Sequence, residues 1–392
     1  ARGAVTCGGR PFTSAAVPSV ERRCAETLAA LLSRLADAAG GALAGAALGG
    51  ALGRGEAPTT VDAEGAFVTG EPFELLVVLH ATPGRASALA PRLGRELAVT
   101  ARPRRAAVLL RACAESALSR LPPTLELVEC AAANRIVCGP PGLLEPLAPL
   151  ACAQPEPDEA LRHLVRRGAA LLGAERALSR RGAPRAAVLA AQAAVRGIDL
   201  ALGTALLVSA RRFRPTDAGR AAELRSMTAP AEDGRSAQGF HLRMTRTRFR
   251  DVVERHREAV AAAGGVDLPE TLAEVRTQAG RASDRFLEVL RLLEEERLDC
   301  RIESWTSYLR TLAARRGALP APGLFGPREE DALPGRRAVR DWPLAERLAP
   351  ALGSLLDWDP GDLAIAAVLL DLPEGAPRET LGARLETLAA GA

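Results

Sequence analysis

Between Leu48 and Val78 the chain sets out two ingredients of phosphate chemistry: a turn of small residues and, after it, carboxylates on a segment of strand character. The turn reads Leu48-Gly49-Gly50-Ala51-Leu52-Gly53-Arg54-Gly55-Glu56. Backbone N–H groups in such a turn can approach a triphosphate without interference from Cβ atoms, and an arginine beside them can pair with phosphate oxygens. The later segment reads Glu71-Pro72-Phe73-Glu74-Leu75-Leu76-Val77-Val78. Carboxylates two residues apart on a strand project to one face, where they can share a divalent cation such as Mg²⁺ that bridges nucleotide phosphates. Metal-assisted nucleotidyl transfer draws on this set of groups.

In these residues the sequence resembles the polymerase-β-like nucleotidyltransferase superfamily. Its signature is a hydrophobic residue, then Gly-Gly or Gly-Ser, then an acid-x-acid pair on a strand. More narrowly it is similar to bacterial proteins in which the glycine motif continues into Arg-Gly-Glu and a helical domain follows the catalytic one. The segments Leu121–Glu129 and Arg135–Gly139 resemble later strands of that group, and Leu202–Leu207 with Arg211, Arg212, Phe213 and Arg220 resembles its helical domain. The resemblance spans residues 20 to 260 and implies a nucleotide-binding protein, with Gly49, Gly50, Arg54 and Glu56 near the phosphates.

The acid motif departs from the family's pattern. With ELLVV set on the family's strand, Glu74 takes the second acid and the first falls on Pro72, which cannot bind a metal. Glu71 is three residues from Glu74 and points to the opposite face. A competing register uses Asp62-Ala63-Glu64, which has the spacing but is followed by Gly65 and Ala66 instead of β-branched residues. Glu126, read on a short later strand, is the candidate third carboxylate. The candidate catalytic residues are therefore Glu74, Glu126 and Asp62, with Mg²⁺, if the protein is active, held by Glu74 and Asp62 or Glu126. Transfer is expected to be weak or lost, the state of a pseudoenzyme. The acceptor class, whether small molecule, protein or RNA, is left open. The other reading is a non-catalytic module that keeps the fold and binds a protein partner through its helical half.

The elements that would position these groups follow from periodicity. Val20–Ala39 places Cys24, Leu28, Leu31, Leu32 and Leu35 on one helical face. A Gly-rich stretch follows; Glu74–His80 reads as a strand, Ala106–Leu118 as a helix, and Leu125–Val128 and Arg135–Cys138 as short strands. Beyond residue 157 the pattern is helical: Asp158–Arg180, Ala183–Phe213, Gly239–Ala263, then a helix opened by a capping box at Asp267–Glu270 and reaching Arg297. A helix bearing Trp305 and Tyr308, a Pro/Gly-rich linker over Gly317–Pro334, and helices at Leu344–Leu356 and Asp362–Leu370 complete the chain. The expected fold class is α+β, a small nucleotidyltransferase-like mixed sheet with helices followed by a mainly helical region. The expected domains are residues 1–150, 155–317 and 335–392.

Composition bounds the remaining possibilities. The 392 residues suffice for two or three domains. All 51 basic residues are arginine, which excludes Schiff-base chemistry and a phosphate loop ending in Gly-Lys. A net charge of +4 gives no strong nucleic-acid signal, and 3% aromatics argue against a stacking platform for single strands. Arg243, Arg246, Arg248 and Arg250 form the densest basic cluster, with acids interleaved at Asp251 and Glu254, the mark of a solvated helix face. The seven cysteines contain no C-x-x-C pair, and His80, His163, His241 and His256 form no metal motif. The longest low-charge stretch, Ala38–Leu52, is too short for a bilayer, so a cytoplasmic protein without a membrane partner is expected. The first residue is Ala1, not Met, which fits a truncated or processed start.

Overall fold

The computed structural model describes residues 10–61, 66–180, 182–228, 244–264, 266–267, 271–315, 339, 342–357, 363–373 and 375–389. In chain order the elements begin α1 (Pro18–Ala39), β1 (Leu43–Leu48), α2 (Gly50–Arg54), β2 (Thr59–Val61), β3 (Phe67–Val68), β4 (Phe73–Leu79), α3 (Pro83–Ala101), β5 (Val108–Ala114), α4 (Leu125–Ala133) and β6 (Arg135–Cys138). They continue α5 (Pro157–Ser179), α6 (Arg185–Ser209), α7 (Asp217–Thr228), α8 (Arg246–Ala263), β7 (Val266–Asp267), α9 (Leu272–Leu298) and α10 (Trp305–Arg315). The last are α11 (Leu344–Leu356), α12 (Leu363–Leu369) and α13 (Arg378–Ala389). The chain forms two compact units. The first takes residues 1–156, 211–227 and 257–269, and the second takes 157–210, 228–256 and 270–392.

The first unit is built on a mixed sheet in the order β5-β4-β1-β6, with β4 parallel to β5 and β1 antiparallel to both β4 and β6. Both faces of β4 are covered, which is why its sequence is a continuous apolar run without alternation. Leu75, Val77 and Leu79 pack with Leu28, Leu31 and Leu35 of α1 and Leu93 and Leu97 of α3. On the other face Leu76 and Val78 pack with Leu127 and Cys130 of α4 and with Leu143 and Leu147. A smaller sheet, β3-β2-β7, belongs to the same unit.

The Gly-rich stretch after α1 is the central strand β1, which the sequence reading did not separate from its surroundings. Its small residues answer to crowding, since a Cβ on Gly45 would lie 2.6 Å from the Cys138 carbonyl oxygen and from a Leu143 methyl. Two neighbouring assignments reverse. Ala106–Leu118, expected as a helix, contains β5, because pairing with β4 over seven residues outweighs the helix preference of an Ala-rich segment. Leu125–Val128, expected as a strand, is the start of α4. Thr124 caps it, its hydroxyl accepting the Leu127 N–H at 3.4 Å.

The second unit is helical, as its periodicity indicates. The capping box of α9 uses Thr271 and Glu274 in place of the 267–270 segment, with both reciprocal bonds formed. Val188, Ala191, Val195, Ile198 and Leu202 are buried on α6. Among the described residues α6 is the one helix long and apolar enough to match a bilayer span, and half of that apolar window is buried within the protein. The linker expected at 317–334, and His241 and Arg243, lie outside the described residues.

Candidate functional site

The end of β1 and the start of β4 meet at the glycine turn. Leu48 pairs with Leu75 across the antiparallel ladder, and the Gly49 N–H donates to the Glu74 carbonyl at 2.8 Å. Gly50 then turns the chain at φ +60°, a conformation that L side chains rarely adopt. A Cβ at that position would lie 2.5 Å from Oε1 of Glu74, so the carboxylate rests directly against the glycine. Gly49, Gly50 and Glu74 thus come together as the sequence required. Cys130 of α4 is their neighbour: a Cβ on Gly49 would sit 3.8 Å from its Cβ. Burial, reinforced by the nearby Glu74 and Glu129 carboxylates, pushes the Cys130 thiol up to about 12, so it stays protonated at neutral pH.

Arg54, one helical turn beyond Gly50, has a side chain only 6% exposed. Its Nε donates to Glu56 and its Nη1 to Glu129, each at 2.5 Å, while Nη2 lies 3.8 Å from Asp217. Arg220 closes the cluster, donating to the other Glu129 oxygen at 2.6 Å and to Asp217, with its guanidinium 5.4 Å from the centre of the Phe213 ring. Glu56 also accepts the Asp217 N–H at 3.1 Å. Burial works against the charge on Arg54, but the carboxylates of Glu129, Asp217 and Glu56 outweigh it and hold the group protonated well above its ordinary value. Burial raises Glu56, and the Asp217 charge adds to the rise against the pull of Arg54. Arg54 and Glu56 therefore form part of a buried five-member ion cluster and not a surface pair.

Glu126 is brought elsewhere. It lies in the first turn of α4, not on a strand, 3.9 Å from the Arg111 guanidinium. On the side of β4 away from β1 lies β5, and the residue in register with Glu74 there is Leu109, which is 53% exposed. Asp62 lies outside the described residues. Among the described residues no group of three or more His, Cys, Asp or Glu is gathered to hold a metal ion. The described donors fit Mg²⁺ poorly: Pro72 and Leu109 offer no ligand beside Glu74, while Glu56 and Glu129 are engaged by guanidinium groups.

Sequence reasoning did not anticipate Glu129, Asp217 and Arg220 as partners of Arg54. The available signal was an excess of acid in α4, with Glu129 one turn after Glu126. The Asp217–Arg220 pair also has the i,i+3 spacing of a helical ion pair. Of the other cations singled out in the sequence, Arg211 is tied to Glu156, Arg212 to Glu223 and Arg248 to Glu288. Comparison with protein-family models, with curated proteins and with solved structures yields no match to this chain.

Proposed function

We propose that the first unit is a nucleotidyltransferase-like, nucleotide-binding domain in which NMP transfer is weak or lost. The observation that carries this reading is the seat of the Glu74 carboxylate against Gly50, at the junction where β1 ends and β4 begins. A glycine turn joined to an acidic strand is the arrangement the sequence resemblance calls for. The weakness of transfer rests on Pro72 at the first acid position and on Leu109 beside Glu74. With those two positions closed to metal ligation, Glu74 lacks the second carboxylate that a shared cation needs.

Calorimetry with ATP, GTP, CTP and UTP in the presence of Mg²⁺ tests the reading. At least one nucleotide is expected to give heat, and Gly50→Val is expected to remove it while the circular dichroism spectrum is kept, because a branched side chain would displace Glu74. Silence with all four nucleotides, or unchanged heat from the variant, overturns it. Labelled-NTP incorporation into a lysate is expected to be weak or absent. A second reading, a non-catalytic module that binds a protein through its helical half, is favoured by one observation. Arg54, the candidate phosphate partner, already has its donors turned to carboxylates.

A further inference from the structure

The net charge of +4 hides a strong local asymmetry. From Ala81 to Ala114, through α3, the turn after it and β5, the chain carries seven arginines and the single acid Glu96, so the remainder of the molecule is slightly acidic. All seven, Arg85, Arg92, Arg95, Arg102, Arg104, Arg105 and Arg111, are exposed. Glu96 does not offset them, because its carboxylate is bonded to a further arginine, Arg34 of α1. Among the described residues no ion pair reaches Arg85, Arg92, Arg95 or Arg102, and Arg104 bonds the Thr100 carbonyl at 3.0 Å.

Helix spacings of seven, three and seven put Arg85, Arg92, Arg95 and, at the C-cap, Arg102 on the outward side of α3 over about 25 Å. The inward stripe, Ala86, Leu93, Leu97 and Ala101, is buried in the core of the first unit. The turn that follows stays at the Glu74 end of the sheet, since the Phe73 N–H donates to the Ala107 carbonyl at 2.9 Å.

We infer that the outer face of α3, with the arginine turn at 102–105, binds the phosphate backbone of a nucleic-acid duplex without sequence selectivity. A row of exposed guanidinium groups with one sign of charge suits a ligand that presents a row of phosphates, and such contacts position a duplex without reading its bases. A single strand would require stacking partners, and none of the residues from Ala81 to Ala114 is aromatic. An anionic membrane is the other polyanionic surface, and Val99, 70% exposed within the stripe, gives it one apolar contact. A helix lying in a bilayer interface must submerge a continuous apolar face, however, and that of α3 is already spent on the protein core. This inference does not rest on nucleotide binding at the glycine turn. Duplex binding by a protein that gives no heat with any NTP would leave it standing.

The test is fluorescence anisotropy of the full chain with random-sequence RNA and DNA duplexes of about 20 base pairs across 50 to 200 mM salt. Affinity is expected to fall roughly 10²–10³-fold over that range, and Arg92→Gln with Arg95→Gln and Arg102→Gln is expected to flatten the log–log salt slope by roughly 2–3. These positions are exposed, and an unchanged melting temperature would confirm that the triple variant keeps its fold. Absence of binding at the lowest salt, or a wild-type slope in the triple variant, overturns the inference. Retention by phosphatidylglycerol vesicles without retention of either duplex also overturns it and assigns the face to a membrane.

Discussion

Each unit buries arginine among carboxylates, and the two clusters differ in what lies beside them. In the first unit Arg54 and Arg220 share Glu56, Glu129 and Asp217. In the second, Arg297 of α9 bonds Glu294 at 2.6 Å and Glu346 of α11 at 2.9 Å, while the buried Tyr308 of α10 donates its hydroxyl to Glu294 at 2.6 Å. The electrostatic logic is the same in both. Burial opposes the charge of Arg297, and its bonds and Coulombic attraction to Glu294 more than restore it, as the carboxylates do for Arg54. The second cluster joins packed helices. A buried arginine held by acids is thus a general device of this chain, and Arg54 gains no functional weight from its ion pairs alone. What sets the first unit apart is the contact of Glu74 with Gly50.

If the first cluster is structural, removing one of its cations should cost stability before anything else. Arg220→Met leaves Glu129 and Asp217 short of a partner in a buried setting, and the expected loss is about 3–5 kcal/mol in urea unfolding. Arg54→Met is expected to fall in the same range. A loss under about 1 kcal/mol would mean that water screens the cluster as it screens a surface pair, and the likeness between the two units would fail.

The second cluster should yield less. Tyr308→Phe removes one hydrogen bond to a carboxylate that Arg297 continues to hold, so the expected loss is roughly 1.5–3 kcal/mol. The phenol is held well above its ordinary value of 10.0 by burial and by the Glu294 charge, and it stays a donor across the accessible pH range. A Tyr308→Phe loss equal to that of Arg220→Met would make the helical cluster the more tightly coupled of the two.

These clusters also mark where sequence reading stopped. Helices with a strong apolar stripe, such as α1 and α5, were legible because one buried face sets their period. So was β4, whose apolar run was long enough to stand alone. β1 was not, because a central strand pressed against its neighbours is written in Gly and Ala, the same residues that write a loop. β5 and α4 exchanged identities because the short, largely apolar runs VLLRACA and LELVECAAA fit either period until a partner strand is known. At the site, the meeting of Gly50 and Glu74 was legible from motif order. The partners of Arg54 were not, since Glu129 and Asp217 stand 75 and 163 residues away and nothing local ties them to it.

The smallest expected effect is a matter of sign. Glu175 of α5 accepts the Ser283 hydroxyl at 2.5 Å; burial raises its pKa, Asp284 adds to the rise, and the Ser283 bond and Arg378 pull it down. The native state therefore holds the proton more tightly than the unfolded chain, where the group keeps its ordinary value near 4.5. Its contribution to stability is complete below that pH and declines as pH rises toward the higher native value, because the unfolded chain ionises first. Glu175→Gln keeps an acceptor for Ser283 and removes the titration. Relative to the wild type the variant should gain stability as pH rises from 4.5, by a fraction of a proton in the slope of unfolding free energy against pH. The pair of pH profiles checks this directly. A variant that loses ground instead would show that Arg378 and Ser283 outweigh burial.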